Sequence, residues 1–398
     1  MRIALVSQEY PPETAKGGLG TQTYLKAHGM AARGHEVHVI SHTGRVDRWE
    51  YMDGAVHVLR IPGFYHRLFI RALPVEWITY SAEVAAAIET LHKRHPLDLV
   101  EFPEWGAEGY IYLLNRTPEN YIPTVLHLHG PLVMFAHKLS WPDLDSEFYR
   151  VGMEMESTCF RLADAVFASS RCSAQWCTEH YYKRRDAIPV IHTGVETDLF
   201  APRPVPKNKQ PTIVFVGRLV WNKGVGPLVD ACSRLAAEFP ALELHMIGSG
   251  DGNVIAELEA RSRAYPGLLR RSQFVSRDQL AEELSRAHIF AAPSVYEGGP
   301  GFVYLEAMAG GLPVIGCSGS GLDEIIESGE NGMLIPPNDT DALVQVLRSL
   351  LNDPEKRAEI GRRARDYVMQ HARREDCLER IETFYKAVVE RSVRPARG

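Results

Sequence analysis

Arg218 and Lys223 lie five residues apart in VGRLVWNKGV (216–225), directly after the apolar run TIVFV (212–216). At the carboxyl end of a strand, with no acidic side chain expected beside them, the two cations suit a diphosphate. The guanidinium would act as a bidentate fork and the ammonium as a point charge. A solvated basic loop is the plainer alternative. Glu297 and Glu306 flank a run of glycines and one proline in YEGGPGFVYLEAMAGG (296–311). Gly298, Gly299 and Gly301 let bare backbone approach a ligand, and a helix expected from about Val303 offers its free N–H groups to a phosphate.

Other stretches carry weaker signals. KGGLGTQTYL (16–25) places Gly17 and Gly18 before an expected helix, where backbone N–H groups favour an anion. A tight turn is the plain alternative, and the G-x-G-x-x-G dinucleotide pattern is absent. MIGSGDG (246–252) puts Gly248 after another strand. LHLHG (126–130) ends a core strand with His127 and His129, expected on opposite faces, one buried and one lining a site. Asp143 and Asp145 have a D-x-D spacing, but they follow Pro142 and no clear strand, so a solvated turn is expected and no metal site. The segment 61–77 mixes aromatic and basic residues and reads as an acceptor loop, a membrane-surface contact or an ordinary packed insertion.

These residues need a frame to hold them. Short β-branched runs alternate with longer helical ones. Expected strands are 2–7, 36–42, 56–61, 98–102, 124–129, 165–169 and 189–192, then 212–216, 243–247, 272–275, 289–292 and 313–316. Expected helices are 21–33, 77–95, 148–162 and 171–182, then 227–238, 278–286 and 303–309. Such alternation implies parallel sheets covered on both faces. APRPVPKNKQP (201–211), with four prolines and three basic residues, reads as an exposed linker. The fold class is therefore α/β, with two doubly wound domains, about 1–200 and 210–370. Ligands of such sheets bind beyond the carboxyl ends of the strands, so the natural site is a cleft between the two.

The chain has 398 residues, too many for one ordinary domain, and a net charge of −6 that gives no general attraction to nucleic acid. Its six cysteines form no C-x-x-C pair, which suits free thiols in a reducing compartment. No stretch approaches the ~18 apolar residues of a spanning helix. A cytoplasmic protein is expected, with peripheral contact at the inner membrane face left open.

Taken in order, GGLG (17–20), GVETDLFAP (194–202), GRLVWNKG (217–224) and EGGPGFVYLEAMAGGLPVI (297–315) resemble the retaining glycosyltransferases of family 4, over almost the whole chain. The resemblance implies a GT-B architecture, two Rossmann-like domains facing across a cleft. The first would bind the acceptor and the second a nucleotide-diphospho-sugar, with the C-terminal helix (375–391) crossing back to the first. Arg218 and Lys223 match the pair that binds the diphosphate, and Glu306 the glutamate that binds the ribose hydroxyls. Gly17 and Gly18 match the loop facing the donor phosphates, and His129 the histidine near the transferred sugar. The backbone at Gly299, Gly301 and Phe302 would meet the sugar or distal phosphate, and Gly248 and Phe274 complete the expected donor contacts. The family motif has seven residues between its glutamates. Here eight, 298–305, separate them, so Glu297 keeps its role only if the loop bulges.

The expected function is metal-independent hexosyl transfer with retention to an acceptor hydroxyl on a glycan, a lipid-linked carrier or a small molecule. A UDP-sugar is favoured, a GDP-sugar is second, and no cofactor is expected beyond that co-substrate. An epimerase of the same fold acting on the nucleotide sugar, or a non-catalytic binder of nucleotide sugars or glycans, are the alternatives.

Overall fold

The structure, a computed structural model, describes residues 1–14, 17–63, 73–184 and 186–393. The chain divides into two compact units. One is Met1–Thr193 together with the final helix from Glu375, and the other is Gly194–Arg374.

The first unit holds β1 (Arg2–Val6), β2 (Glu36–Thr43), β3 (Trp49–Asp53), β4 (Val56–Pro62), β5 (Leu99–Pro103), β6 (Thr124–Leu128) and β7 (Ala165–Ala168), in the order β3-β4-β2-β1-β5-β6-β7. All pairs are parallel except β3 with β4. Every residue of β5, β6 and β7 is buried, because helices cover both faces, and this is why the strands read as continuous apolar runs. The covering helices are α1 (Gly18–Ala32), α2 (Leu73–Arg94), α3 (Tyr110–Leu114), α4 (Leu132–Leu139), α5 (Glu147–Leu162) and α6 (Arg171–His180).

The second unit holds β8 (Thr212–Val216), β9 (Glu243–Ile247), β10 (Leu269–Ser272), β11 (Ile289–Ala291), β12 (Val314–Cys317) and β13 (Met333–Ile335), in the order β10-β9-β8-β11-β12-β13. All its pairs are parallel. Its helices are α7 (Val225–Leu235), α8 (Gly252–Ser262), α9 (Arg277–Arg286), α10 (Phe302–Ala309), α11 (Thr340–Asn352) and α12 (Pro354–His371). The last helix, α13 (Arg374–Val393), belongs to the first unit beyond its first residue. Its Leu378, Ile381, Tyr385 and Val388 recur at helical spacing and enter one core with Ile3, Val39 and Phe167.

Both sheets are doubly wound. The order reverses between β8 and β11 in the second unit and between β1 and β5 in the first. Loops leaving the carboxyl ends of strands at such a reversal form a crevice, the usual ligand site of an open parallel sheet.

Several expectations need correction. Residues 201–211 are not a free linker, and the division falls earlier, at Thr193–Gly194. This stretch is tied to the second unit: Asn208 N–H donates to the Arg286 carbonyl at 2.9 Å and Lys207 Nζ to the Ala287 carbonyl at 2.6 Å. The strand expected at 272–275 lies instead at Leu269–Ser272. An edge strand accommodates Arg270 and Arg271 because Glu243 and Glu259 take their charges, at 2.9 and 2.7 Å. The run 189–192 forms only an isolated bridge, Val190 to Ala168. Of the segment 61–77, residues 64–72 lie outside the described residues, as does Lys16.

Candidate functional site

The second unit gathers most of the expected residues at its own sheet reversal. After β8 the chain turns through Gly217, whose N–H donates to the Ile247 carbonyl at 3.0 Å, and Leu219 N–H donates to the Ser249 carbonyl at 2.8 Å. The turns after β8 and β9 are thereby laid backbone on backbone. A Cβ at Gly248 would overlap the Gly217 carbonyl oxygen, and φ there is +148°, so only glycine fits. Arg218 projects from this turn, exposed, with no ion-pair partner among the described residues.

Lys223 closes a short 3-10 turn (Trp221–Lys223), and Gly224, at φ +73°, starts α7. Lys223 was expected to have no acidic neighbour, and this is corrected: its Nζ lies 2.7 Å from Glu297 Oε1, with the side chains 22% and 13% exposed. Glu297 arrives there because its N–H is held by the Ser320 carbonyl at 2.8 Å. A Cβ at Gly301 would come within 3.2 Å of Glu297 Oε2, so this glycine leaves room for the carboxylate. The longer glutamate segment thus keeps Glu297 beside Lys223.

Gly299 lies in the loop before α10, and Gly301 is the N-cap of that helix with no side-chain cap. Phe302 is the first helical residue, one earlier than expected. Glu306 sits farther along α10, 3% exposed, with Arg277 Nη1 3.1 Å from its Oε1. Burial pushes the Glu306 carboxyl up to about 7, with the Arg277 charge pulling it down and Glu196 pushing it up. Phe274 lies in the loop after β10 with 91% of its surface exposed.

The first unit holds the rest at the ends of its own strands. His129 follows β6 and is half-buried, and its N–H donates to Glu104 Oε1 at 2.7 Å. Residues two apart on a strand share a face. Accordingly His127 and His129 are not on opposite faces as expected, and their ring centroids are 3.9 Å apart. His127 is fully buried, 2.9 Å from Lys26 Nζ, and Lys26 pairs with Glu101, which also accepts from the Tyr385 hydroxyl. Burial drives both imidazoles well below the usual histidine range, so they are neutral at pH 7. Gly17 caps α1, but Glu9 Oε2 already accepts from the Gly20 N–H at 3.2 Å, so a carboxylate stands at this helix start.

Asp143 and Asp145 form an exposed turn in which Asp145 N–H donates to Asp143 Oδ1 at 2.9 Å. Among the described residues no three His, Cys, Asp or Glu side chains converge to hold a metal, and no helix is long and apolar enough to cross a membrane.

Sequence reasoning missed Glu104, Glu196 and Arg277. Glu104 stands just past a buried strand in VEFPEW, which was a usable signal. Arg277, beside the capping residue Ser276, reads as an ordinary solvated helix start, and its partners are remote in sequence.

Residues 17–194 match the family described as glycosyl transferase 4-like domain, and residues 197–367 match glycosyl transferases group 1. Alpha-maltose-1-phosphate synthase of Mycolicibacterium smegmatis is 32% identical, over 95% of this chain and 95% of that protein. The chain belongs to glycosyltransferase family 4. This glycosyltransferase also resembles solved structures along nearly its full length. Sucrose-phosphate synthase from Thermosynechococcus elongatus matches with a TM-score of 0.81 at 21% identity, over 98% of this chain and 99% of the other. Anabaena HepE in complex with UDP-glucose matches with a TM-score of 0.73 at 19% identity, over 97% and 100%. These likenesses fix the fold of the glycosyltransferase as GT-B.

Proposed function

We propose that this glycosyltransferase moves a hexosyl group, with retention, from a nucleotide-diphospho-sugar to an acceptor hydroxyl, without a metal. One observation carries the reading: Arg218, the Lys223–Glu297 pair, the glycine-capped start of α10 and Glu306 all lie in the segments that follow β8 and β11, the two neighbouring strands at the sheet reversal of one unit. Arg218 and Lys223 would take the diphosphate, whose negative charge grows as the bond from sugar C1 to phosphate oxygen breaks. The acceptor oxygen bonds to C1 on the same face, and its proton passes to the leaving phosphate oxygen. This front-face route needs no enzymic nucleophile.

Lys223 meets its carboxylate across a pair that is still partly exposed, so a diphosphate can compete for the ammonium and leave Glu297 for the sugar hydroxyls. Glu306 would accept the ribose hydroxyls, and the open ring of Phe274 is available to stack on the base. His129, neutral and held through its backbone by Glu104, is assigned to the transferred sugar. UDP is the favoured nucleotide, in keeping with the UDP-glucose bound by Anabaena HepE, and GDP is second. The acceptor class is left as a glycan, a lipid-linked carrier or a small molecule.

The test is a panel of UDP- and GDP-hexoses with acceptors of those three classes, product anomers being read by NMR. Transfer with the donor's anomeric configuration is expected. Inversion would overturn the front-face route, and no consumption of any donor would overturn the donor reading.

A further inference from the structure

Glu306 is nearly closed off from water, its side chain only 5% exposed, and its cation is Arg277 at the start of α9. Arg277 does not serve Glu306 alone. Its Nη2 lies 2.6 Å from Glu196 Oε2, and its guanidinium lies 5.1 Å from the centroid of the buried Phe200 ring. The other oxygen of Glu196 is 2.6 Å from Arg374 Nη1. The order is therefore Glu306, Arg277, Glu196, Arg374, with charges alternating along it.

A carboxyl group that accepts from two vicinal hydroxyls must be ionised, because the protonated form is itself a donor on one oxygen. Burial works against that state. Of the charged groups facing Glu306, Arg277 on α9 favours ionisation and Glu196, in the segment after Gly194, opposes it. Arg365 on α12 donates to the Ala309 carbonyl at the far end of α10, while Lys223 and Glu297 neutralise one another. Arg277 is the one cation hydrogen-bonded to Glu306 among the described residues.

We propose that Arg277 is the positioning residue of the donor site: without touching the nucleotide, it holds Glu306 ionised and aimed so that the carboxylate accepts the ribose 2′- and 3′-hydroxyls. This rests on the donor reading given above and adds a residue to it. Because burial holds the Glu306 carboxyl at about 7, its charge is lost as pH falls through neutrality, and nucleotide affinity should fall with it. Removing the Arg277 charge moves that midpoint to higher pH. Removing the Glu196 charge moves it to lower pH.

The experiment is calorimetric titration with UDP, GDP and ADP between about pH 5.5 and 9, continued with the tightest binder and its 2′,3′-dideoxy analogue. The ligand's own phosphate titration is common to all variants and cancels in the comparison. In R277M, affinity at pH 7 should drop about fivefold, because raising a midpoint of about 7 by roughly one pKa unit takes the ionised fraction at pH 7 from one half to about one eleventh, and it should recover at about pH 9. R277K should retain most of the affinity, and E196Q should shift the midpoint to lower pH. The dideoxy analogue should bind R277M and the unaltered protein alike. An unmoved midpoint in R277M, or an equal loss with the dideoxy analogue, overturns the proposal alone. If R277M does not fold by circular dichroism, an unmoved midpoint in E196Q overturns it. If the unaltered protein binds none of the three nucleotides, the donor reading falls and this proposal with it.

Discussion

Two sets of carboxyl groups, one in each unit, are partnered differently, although Glu101 of the first unit, buried against Lys26, follows the pattern of the second set. In the first, Glu104, Glu108 and Glu156 are wholly buried and face no cation among the described residues. Their partners are fixed donors. Glu104 accepts from the N–H groups of His129 and Gly130, Glu108 from the Gln8 N–H at 3.0 Å, and Glu156 from the Leu132 N–H at 2.9 Å and the Tyr181 hydroxyl. In the second unit, Glu297 and Glu306 each face a cation that ends in a movable side chain. Backbone N–H groups cannot leave without unfolding a loop, so the first set holds loops in place. An ion pair can be re-partnered by a ligand that brings its own charge, so the second set is suited to binding.

The comparison breaks first at the clamp. Losing one partner of a buried, charged contact to phosphate costs on the order of 2–5 kcal/mol. Arg218→Ala and Lys223→Ala should each lower kcat/KM at least about tenfold, with kcat included because the charge grows in the transition state. Steady-state kinetics check this, and unchanged kcat in both variants would remove the two residues from the mechanism. The next effect belongs to the first unit. Glu104→Ala leaves the His129 and Gly130 N–H groups without their acceptor, at about 1–3 kcal/mol, read as a lower urea midpoint and faster hydrogen exchange at 129–130. An unchanged midpoint would show that water replaces the carboxylate freely.

A smaller effect is a pH dependence. Burial raises Glu104 to about 7 and Glu108 to about 8, from 4.5. A group raised in the folded state contributes stability that is present below its unfolded value and lost as pH rises through the folded one. The first unit should therefore be less stable at pH 8.5 than at pH 6.5, above which the buried, neutral His127 and His129 no longer oppose the trend, with a slope of up to about 1.4 kcal/mol per pH unit for each group. Denaturant titrations at both pH values test it, and Glu108→Gln should flatten the slope. The smallest expected effect is none at all: transfer should survive EDTA, and loss restored by Mg²⁺ or Mn²⁺ would overturn the metal-free route.

The fold was legible because both sheets are buried on two faces, so strands such as TIVFV and LVEFP stand out as apolar runs between helical periods. Edges were not. β3 (WEYMD) is half-exposed and pairs antiparallel, and β10 (LRRS) carries two arginines, so neither looks like a buried strand. The placement of Arg218, Lys223, Glu297 and Glu306 after strands was legible for the same reason as the strands. Their partners were not. Lys223 meets Glu297 across 74 positions, and Arg277 meets Glu196 across 81, separations that only the folded sheet closes.

The most direct test compares the two glutamates of the second unit. Glu306→Ala and Glu297→Ala are each titrated by calorimetry with a nucleoside diphosphate that the unaltered protein binds, and turnover is measured in parallel. Glu306→Ala should lose affinity for the diphosphate itself, since each charged hydrogen bond is worth roughly 1.5–3 kcal/mol. Glu297→Ala should spare that affinity and lower turnover. Equal loss of diphosphate affinity in both, or no loss in Glu306→Ala, would contradict the division between a nucleotide-holding carboxylate and a sugar-facing one.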